Sequence, residues 1–252
     1  MKELSRDLSV YKKFNFDRTP IGVKFTVSRP EGINEIDKPL GICETLTEAD
    51  KRGEPFYLSK DTENCVGKQV LGLVEMETFV QSGLVGPRYK IFQDYRANAR
   101  IYYSLPKLIS GTVNYVAISP LDKLTFDPDL LILNTATSQA EIVLRALSYS
   151  TGEPWEQKTT SVVSCAWLFV YPYITGKVNY MTTGMAFGSK AKEVFPEGRI
   201  LISIPYTWIP TITDNLNEME WDIPSYTDGR EGFFKREADI FADAKKEWDS
   251  AL

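Results

Sequence analysis

The stretch DPDLLILN limits the folds open to this chain more than any other, because Leu130–Leu133 form an unbroken apolar run. Such a strand is covered on both faces, so it belongs inside a sheet with further layers packed on it. Other segments supply neighbours. In PIGVKFTV, Ile21, Val23, Phe25 and Val27 alternate with Gly22, Lys24 and Thr26, the pattern of a strand with one buried face. EPFYLS is a short extended piece, TVNYVAISPL ends at Pro120, Ser161–Tyr171 reads as a strand carrying Cys165, and GRILISIP is another.

Helical patterns lie between these strands. ELSRDLSVYKK places Leu4, Leu8 and Tyr11 on one stripe. Ile42 to Lys51 is helical, with Gly53 placed to end it. Ser59 or Asp61 can cap a second helix with Cys65 in its first turns and Val66, Val70 and Leu73 inward. Gly72, Gly83 and Gly86-Pro87 punctuate a loop-rich crossing. Ser138 can cap SQAEIVLRALSYSTG, with Ile142, Ala146 and Tyr149 on one side and Gly152 past its end. The segment REGFFKREADIFADAKKEWDSAL reads as a closing helix with Phe233, Ile240, Ala244 and Trp248 inward. At 252 residues and without a linker, the expectation is one α+β domain over 1–252. Its sheet is mixed and largely antiparallel, with flanking helices.

An internal echo divides that domain into half-domains of about 1–110 and 111–252. Cys43 precedes Gly53 by ten residues and Cys165 precedes Gly176 by eleven. Cys65-Val-Gly67 follows the first pair, and Gly184-Met185 with Gly188 follows the second. A diverged duplication would set Cys43 and Cys165 at matching places; chance spacing accounts for the echo equally well.

Composition narrows the chemistry. Histidine is absent, which removes imidazole as base or ligand and every triad built on it. A net charge of −5 implies no basic face, so nucleic acid is not an expected partner. No apolar run could span a bilayer or serve as a signal peptide, so the expected location is the cytoplasm, away from membrane. Three cysteines, an odd number, suit a reducing compartment rather than a disulfide framework.

Several segments in order resemble the domain-of-unknown-function 169 family, widespread in anaerobic bacteria and archaea. They are TPIGVKF, the Cys43–Gly53–Cys65–Gly67 segment ending in LGL, AISPLDKLTFDPDLLIL, QAEIVLRALSYSTG, SCAWLFVYPYITGKVNY and ILISIPYTWIPTI. The resemblance covers most of the chain and implies the fold and an anaerobic setting more than any activity. Family members often carry a further cysteine in a Gly-Cys-x-Gly-x-Arg segment; here GMAFGSK puts Met185 and Lys190 in those places.

Two functional readings follow. In the first, Cys43, Cys65 and Cys165 converge on an iron–sulfur cluster with one iron open or held by a non-cysteine ligand, Met185 standing where the family's cysteine would be. The protein would then be a thiolate-centred redox or cofactor protein of anaerobic metabolism, with a redox partner. Cys65 near a helix N-terminus would be the most acidic thiol and Cys165 the least. Against this stands the plain role of cysteine as a small buried apolar residue, which suits Cys165 in SVVSCAWLFV. The second reading is a metal-free site for a small organic acid or aromatic ligand, lined by Tyr173, Lys177, Phe187, Lys190, Tyr206 and Trp208. Glu44, Glu48, Asp50 and Asp61–Glu63 lie near the cysteines, where a carboxylate could serve as a hard ligand or proton acceptor; solvated helix-face charge is the plainer reading. Arg96 and Arg100 can hold an anion or form surface salt bridges. A homo-oligomer is compatible with either reading.

Overall fold

Seven strands form one sheet in the computed structural model, which describes residues 4–251. They are β1 (Ile21–Thr26), β2 (Asn34–Glu35), β3 (Phe56–Leu58), β4 (Tyr115–Pro120), β5 (Leu130–Thr135), β6 (Asn179–Thr182) and β7 (Ile200–Pro205). Their order is β2-β3-β4-β1-β5-β7-β6. Among these seven strands β2 and β3 pair in parallel and the other pairings are antiparallel; an isolated bridge, Leu40↔Glu63, is also parallel. The fold is therefore α+β with a mixed, largely antiparallel sheet. Contacts divide the chain into two units, Met1–Asn217, which holds the whole sheet, and Glu218–Leu252.

The apolar run at 130–133 is covered on both faces. Leu130 and Ile132 join Ile21, Val23, Phe25, Val116, Ile118 and Phe169 in one core cluster. Leu131 and Leu133 point the other way by the alternation of a strand and are also buried. Helix α1 (Ile42–Arg52) packs on β4 and β1, followed by the short helices α2 (Gly67–Val70) and α3 (Thr78–Gln81) and then α4 (Tyr95–Ser104). Helix α5 (Thr137–Tyr149) packs on β5 and β7. Beyond it come α6 (Tyr171–Thr175), α7 (Phe187–Ala191) and α8 (Ile209–Glu218). The second unit holds α9 (Pro224–Thr227) and α10 (Gly229–Ser250).

Strand pairing repeats across the middle of the sheet. β1 pairs with β4 from Ile21↔Pro120 to Thr26↔Tyr115, and β5 pairs with β7 from Leu130↔Pro205 to Thr135↔Ile200. Each second strand then takes a third at its fourth residue, Ile118↔Phe56 and Ser203↔Asn179. The innermost strands meet antiparallel about Gly22↔Leu131, with Ile21↔Ile132 and Val23↔Leu130 on either side. This is the pattern of a twofold axis through that pair and perpendicular to the sheet. Such an axis keeps each face of the sheet on its own side.

The repeat extends to the cysteine helices. Phe56 and Asn179 each stand three residues after a helix-ending glycine, Gly53 at φ 64° and Gly176 at φ 65°. The ten- and eleven-residue spacings back to Cys43 and Cys165 differ by one residue. That residue is absorbed in a π turn, Ala166–Val170, which runs into α6. Residues 164–175 are thus one helical stretch and not the expected strand.

Other departures are local. Residues 9–14 form a 3-10 turn with Val10, Tyr11 and Phe14 buried, in place of the opening helix. Helix α4 occupies part of the expected loop-rich crossing. In α5 the buried side chains are Ala140, Val143, Leu144, Ala146 and Leu147, while Tyr149 is exposed. Helix α10 forms as expected, but Phe233, Ile240, Ala244 and Trp248 are exposed.

Candidate functional site

The start of α1 and the loop carrying Cys65 are tied together by one buried carboxylate. Glu63 is 1% exposed. Its Oε1 accepts from the Ile42 N–H at 3.0 Å, and its Oε2 accepts from the N–H groups of Cys65 at 2.8 Å and Lys68 at 2.9 Å. Burial pushes the Glu63 carboxyl up, and the three backbone donors pull it part of the way back. Gly67 is required here, because a Cβ would run into Glu63 Oε1. The Leu40 N–H also donates to Thr62 O and the Asn64 N–H to Leu40 O. Glu63 is therefore structural and not solvated charge. It also alters the expectation for Cys65, which precedes a helix of only four residues. Two of the backbone donors there, the Cys65 and Lys68 N–H groups, already serve Glu63.

Gly41 precedes α1, and its N–H donates to Glu44 Oε2 at 2.8 Å. The same oxygen pairs with Lys192 Nζ at 2.7 Å. A Cβ on Gly41 would meet Glu44 Oε2, Lys192 Nζ and the Cβ of Cys65 within 3.3 Å. Cys43 follows in the first turn of α1. Cys165 arrives from the other half of the sheet, two residues after Val163, whose φ of 55° is rare for a β-branched residue. The Ala166 N–H donates to Val163 O at 3.0 Å, and the Phe187 N–H to Ser161 O at 2.8 Å.

All three cysteines line one cavity of about 520 Å³. Its apolar wall includes Val66, Val85, Ile91, Val162 and Phe187, and its polar groups include Asn98, Tyr102 and Lys192. The Tyr89 and Phe187 rings, both partly exposed, meet at 5.2 Å. Burial pushes the Cys43 thiol up to about 12, with Lys192 opposing. Burial, then the neighbouring Cys43 and Cys65, raises Cys165 well above the ordinary thiol value. Tyr102 is raised by burial and by Cys65 and Cys165. Burial works against the Lys192 ammonium, but Glu44 and the thiols raise it overall. At neutral pH the cavity thus presents Cys43 and Cys165 as neutral thiols beside one cation. Among the described residues, no group of three or more Cys, Asp or Glu is arranged to hold a metal ion.

Of the aromatic and cationic candidates, Phe187 alone joins the three thiols in this cavity. Met185 is exposed. Lys190 pairs with Glu197 at 2.7 Å, and Lys177 with Glu156 at 3.0 Å. Tyr173 packs on Phe25 at 4.4 Å. Tyr206 and Trp208 border separate recesses of about 30 and 10 Å³. A further polar hollow of about 420 Å³ includes Arg29, Glu35, Lys60 and Asn114 and none of the candidates. Lys192, Asn98 and Tyr102 are cavity residues that sequence reasoning missed. Gly83 and Gly86 were the available signal for Asn98, since a Cβ on either would run into α4 or Asn98 itself.

A family model described as DUF169, uncharacterised ArCR, matches residues 9–215. No curated protein and no solved structure matches the chain. No helix among the described residues is long and apolar enough to cross a membrane.

Proposed function

The chain belongs to the DUF169 family, and we propose that it is a small-molecule-binding protein whose ligand, an organic acid with an apolar or aromatic body, occupies the three-thiol cavity. The observation that carries this reading is the meeting of Cys43, Cys65 and Cys165 with Lys192 around one space of about 520 Å³. That volume falls in the usual range of ligand pockets, mostly apolar with a few placed polar groups. The valines, Ile91 and Phe187 would take the ligand body. Lys192 has three donors, of which Glu44 occupies one, leaving others for a carboxylate. The neutral thiols of Cys43 and Cys165 suit an uncharged part of the ligand.

The thiolate-centred reading draws on the same convergence, since three cysteines can hold a cluster with an open iron. It stands second because no group of three or more metal-ligating side chains is gathered among the described residues. Titration calorimetry with benzoate and with hexanoate decides between them, alongside iron and sulfide assays on anaerobically purified protein. The acid reading expects saturable binding, weakened about tenfold or more by Lys192→Met. Stoichiometric iron and sulfide, with no acid binding, would put the cluster in its place.

A further inference from the structure

The polar hollow of about 420 Å³ is built on the β2-β3-β4 end of the sheet. Phe56, Leu58, Val116 and Ile118 point into the core cluster beside Ile42, Leu46 and Ala49 of α1. Strand alternation turns Tyr57 and Tyr115 to the opposite face, and Glu35, in register with Tyr57, shares it. All three line the hollow. Tyr57 is 1% exposed, held between Arg29, whose guanidinium lies 5.5 Å from the ring centroid, and Tyr115, whose ring meets it edge-on at 5.4 Å. Its hydroxyl has no hydrogen-bond partner, yet it is not one of the enclosed polar atoms. The little surface that Tyr57 keeps therefore includes that oxygen, which opens into the hollow.

Arg29 and Lys60 also line this space, and among the described residues neither has an ion-pair partner. Asp61 lies there without a cation, and Glu35 accepts from the Ser59 and Thr62 hydroxyls through Oε1, which leaves Oε2 unengaged. Apart from Leu73 and the tyrosine rings the lining is polar, unlike the apolar wall around the thiols.

We propose that this hollow binds a phosphorylated polyol, such as a sugar phosphate, at a site separate from the thiol cavity. A phosphate monoester carries close to two negative charges at neutral pH, enough to engage Arg29 and Lys60 together. A guanidinium stacked on a ring presents paired donors to such a group, and the Tyr57 hydroxyl adds another. Glu35 Oε2 and Asp61 accept from the ligand's hydroxyls. The same two carboxylates repel a bare anion, so inorganic phosphate is a poorer occupant.

Titration calorimetry on the full-length protein tests this with ribose 5-phosphate, glucose 6-phosphate and glycerol 3-phosphate, against inorganic phosphate and the three unphosphorylated polyols. At least one phosphorylated polyol should bind saturably, about tenfold or more tighter than inorganic phosphate and than its own polyol. Arg29→Met, at an exposed position, should weaken that binding about tenfold or more. Tyr57→Phe should weaken it about threefold or more and leave the ligand-free thermal midpoint unchanged, because the hydroxyl has no partner in the protein. Lys192→Met should leave it unaltered. Should Tyr57→Phe fold poorly, Lys60→Met reads the same site. Binding by none of the three, binding no tighter than inorganic phosphate, or affinity that follows Lys192 and not Arg29 would overturn the proposal.

Discussion

Glu63 concentrates much of what holds the site together, because one carboxylate accepts from three N–H groups on two segments. Glu63→Gln keeps the shape but turns an amide NH₂ toward backbone donors. We expect it to destabilise the protein by about 1–3 kcal/mol in urea unfolding, with an unchanged m-value; an unaltered midpoint would show that the carboxylate is dispensable. Cys43 gives a pH prediction. Its thiol stays protonated in the folded protein up to about 12, whereas in the unfolded chain it ionises near 9.0. The unfolded state therefore binds fewer protons between those values, and stability falls as pH rises through that window. Unfolding midpoints of wild type and Cys43→Ser, compared from pH 8 to 11, should show a shallower alkaline decline in the variant. Parallel curves would mean that the thiol is not held neutral. The sequence could not expose the role of Glu63: it looks like any acid between polar neighbours, and its burial follows from Leu40 and Asn64 pairing across a distant loop.

At the level of elements, legibility followed the strength of local signals. Ile42–Arg52 with Gly53, and β1, β4, β5 and β7, were readable because periodicity, glycine and proline agree there. Residues 164–175 were not, since SVVSCAWLFVY is a largely apolar run rich in β-branched and aromatic residues. Such a run does not distinguish a buried strand from a buried helix, and its π turn disturbs helical periodicity further. Of the site, the three cysteines were legible. The aromatic pocket was not, because aromatics that line up along the chain separate onto different faces and recesses. The two helix-ending glycines make a test of the repeat. Gly53→Ala and Gly176→Ala each place a Cβ at positive φ without a close backbone clash. Each should cost about 1 kcal/mol, read as similar drops in thermal midpoint. A loss at one site alone would argue that the two caps are not equivalent.

For the whole molecule, the family match over 9–215 and the unit Met1–Asn217 nearly coincide. A chain ending at Asn217 should therefore unfold in one cooperative transition and keep the affinity of the full chain for benzoate. Loss of cooperativity on truncation would show that the first unit depends on residues beyond it. Within that unit, each half brings to the cavity a cysteine at a helix start and part of the excursion between its outer two strands. The excursions differ greatly, running over 59–114 in one half and 183–199 in the other. Two identical halves would have offered a guest the same environment from either end, leaving it free to enter one way or reversed. Cys65, Asn98 and Tyr102 all sit on the longer excursion, whereas the shorter one brings Phe187 and Lys192. They give the cavity a head and a tail.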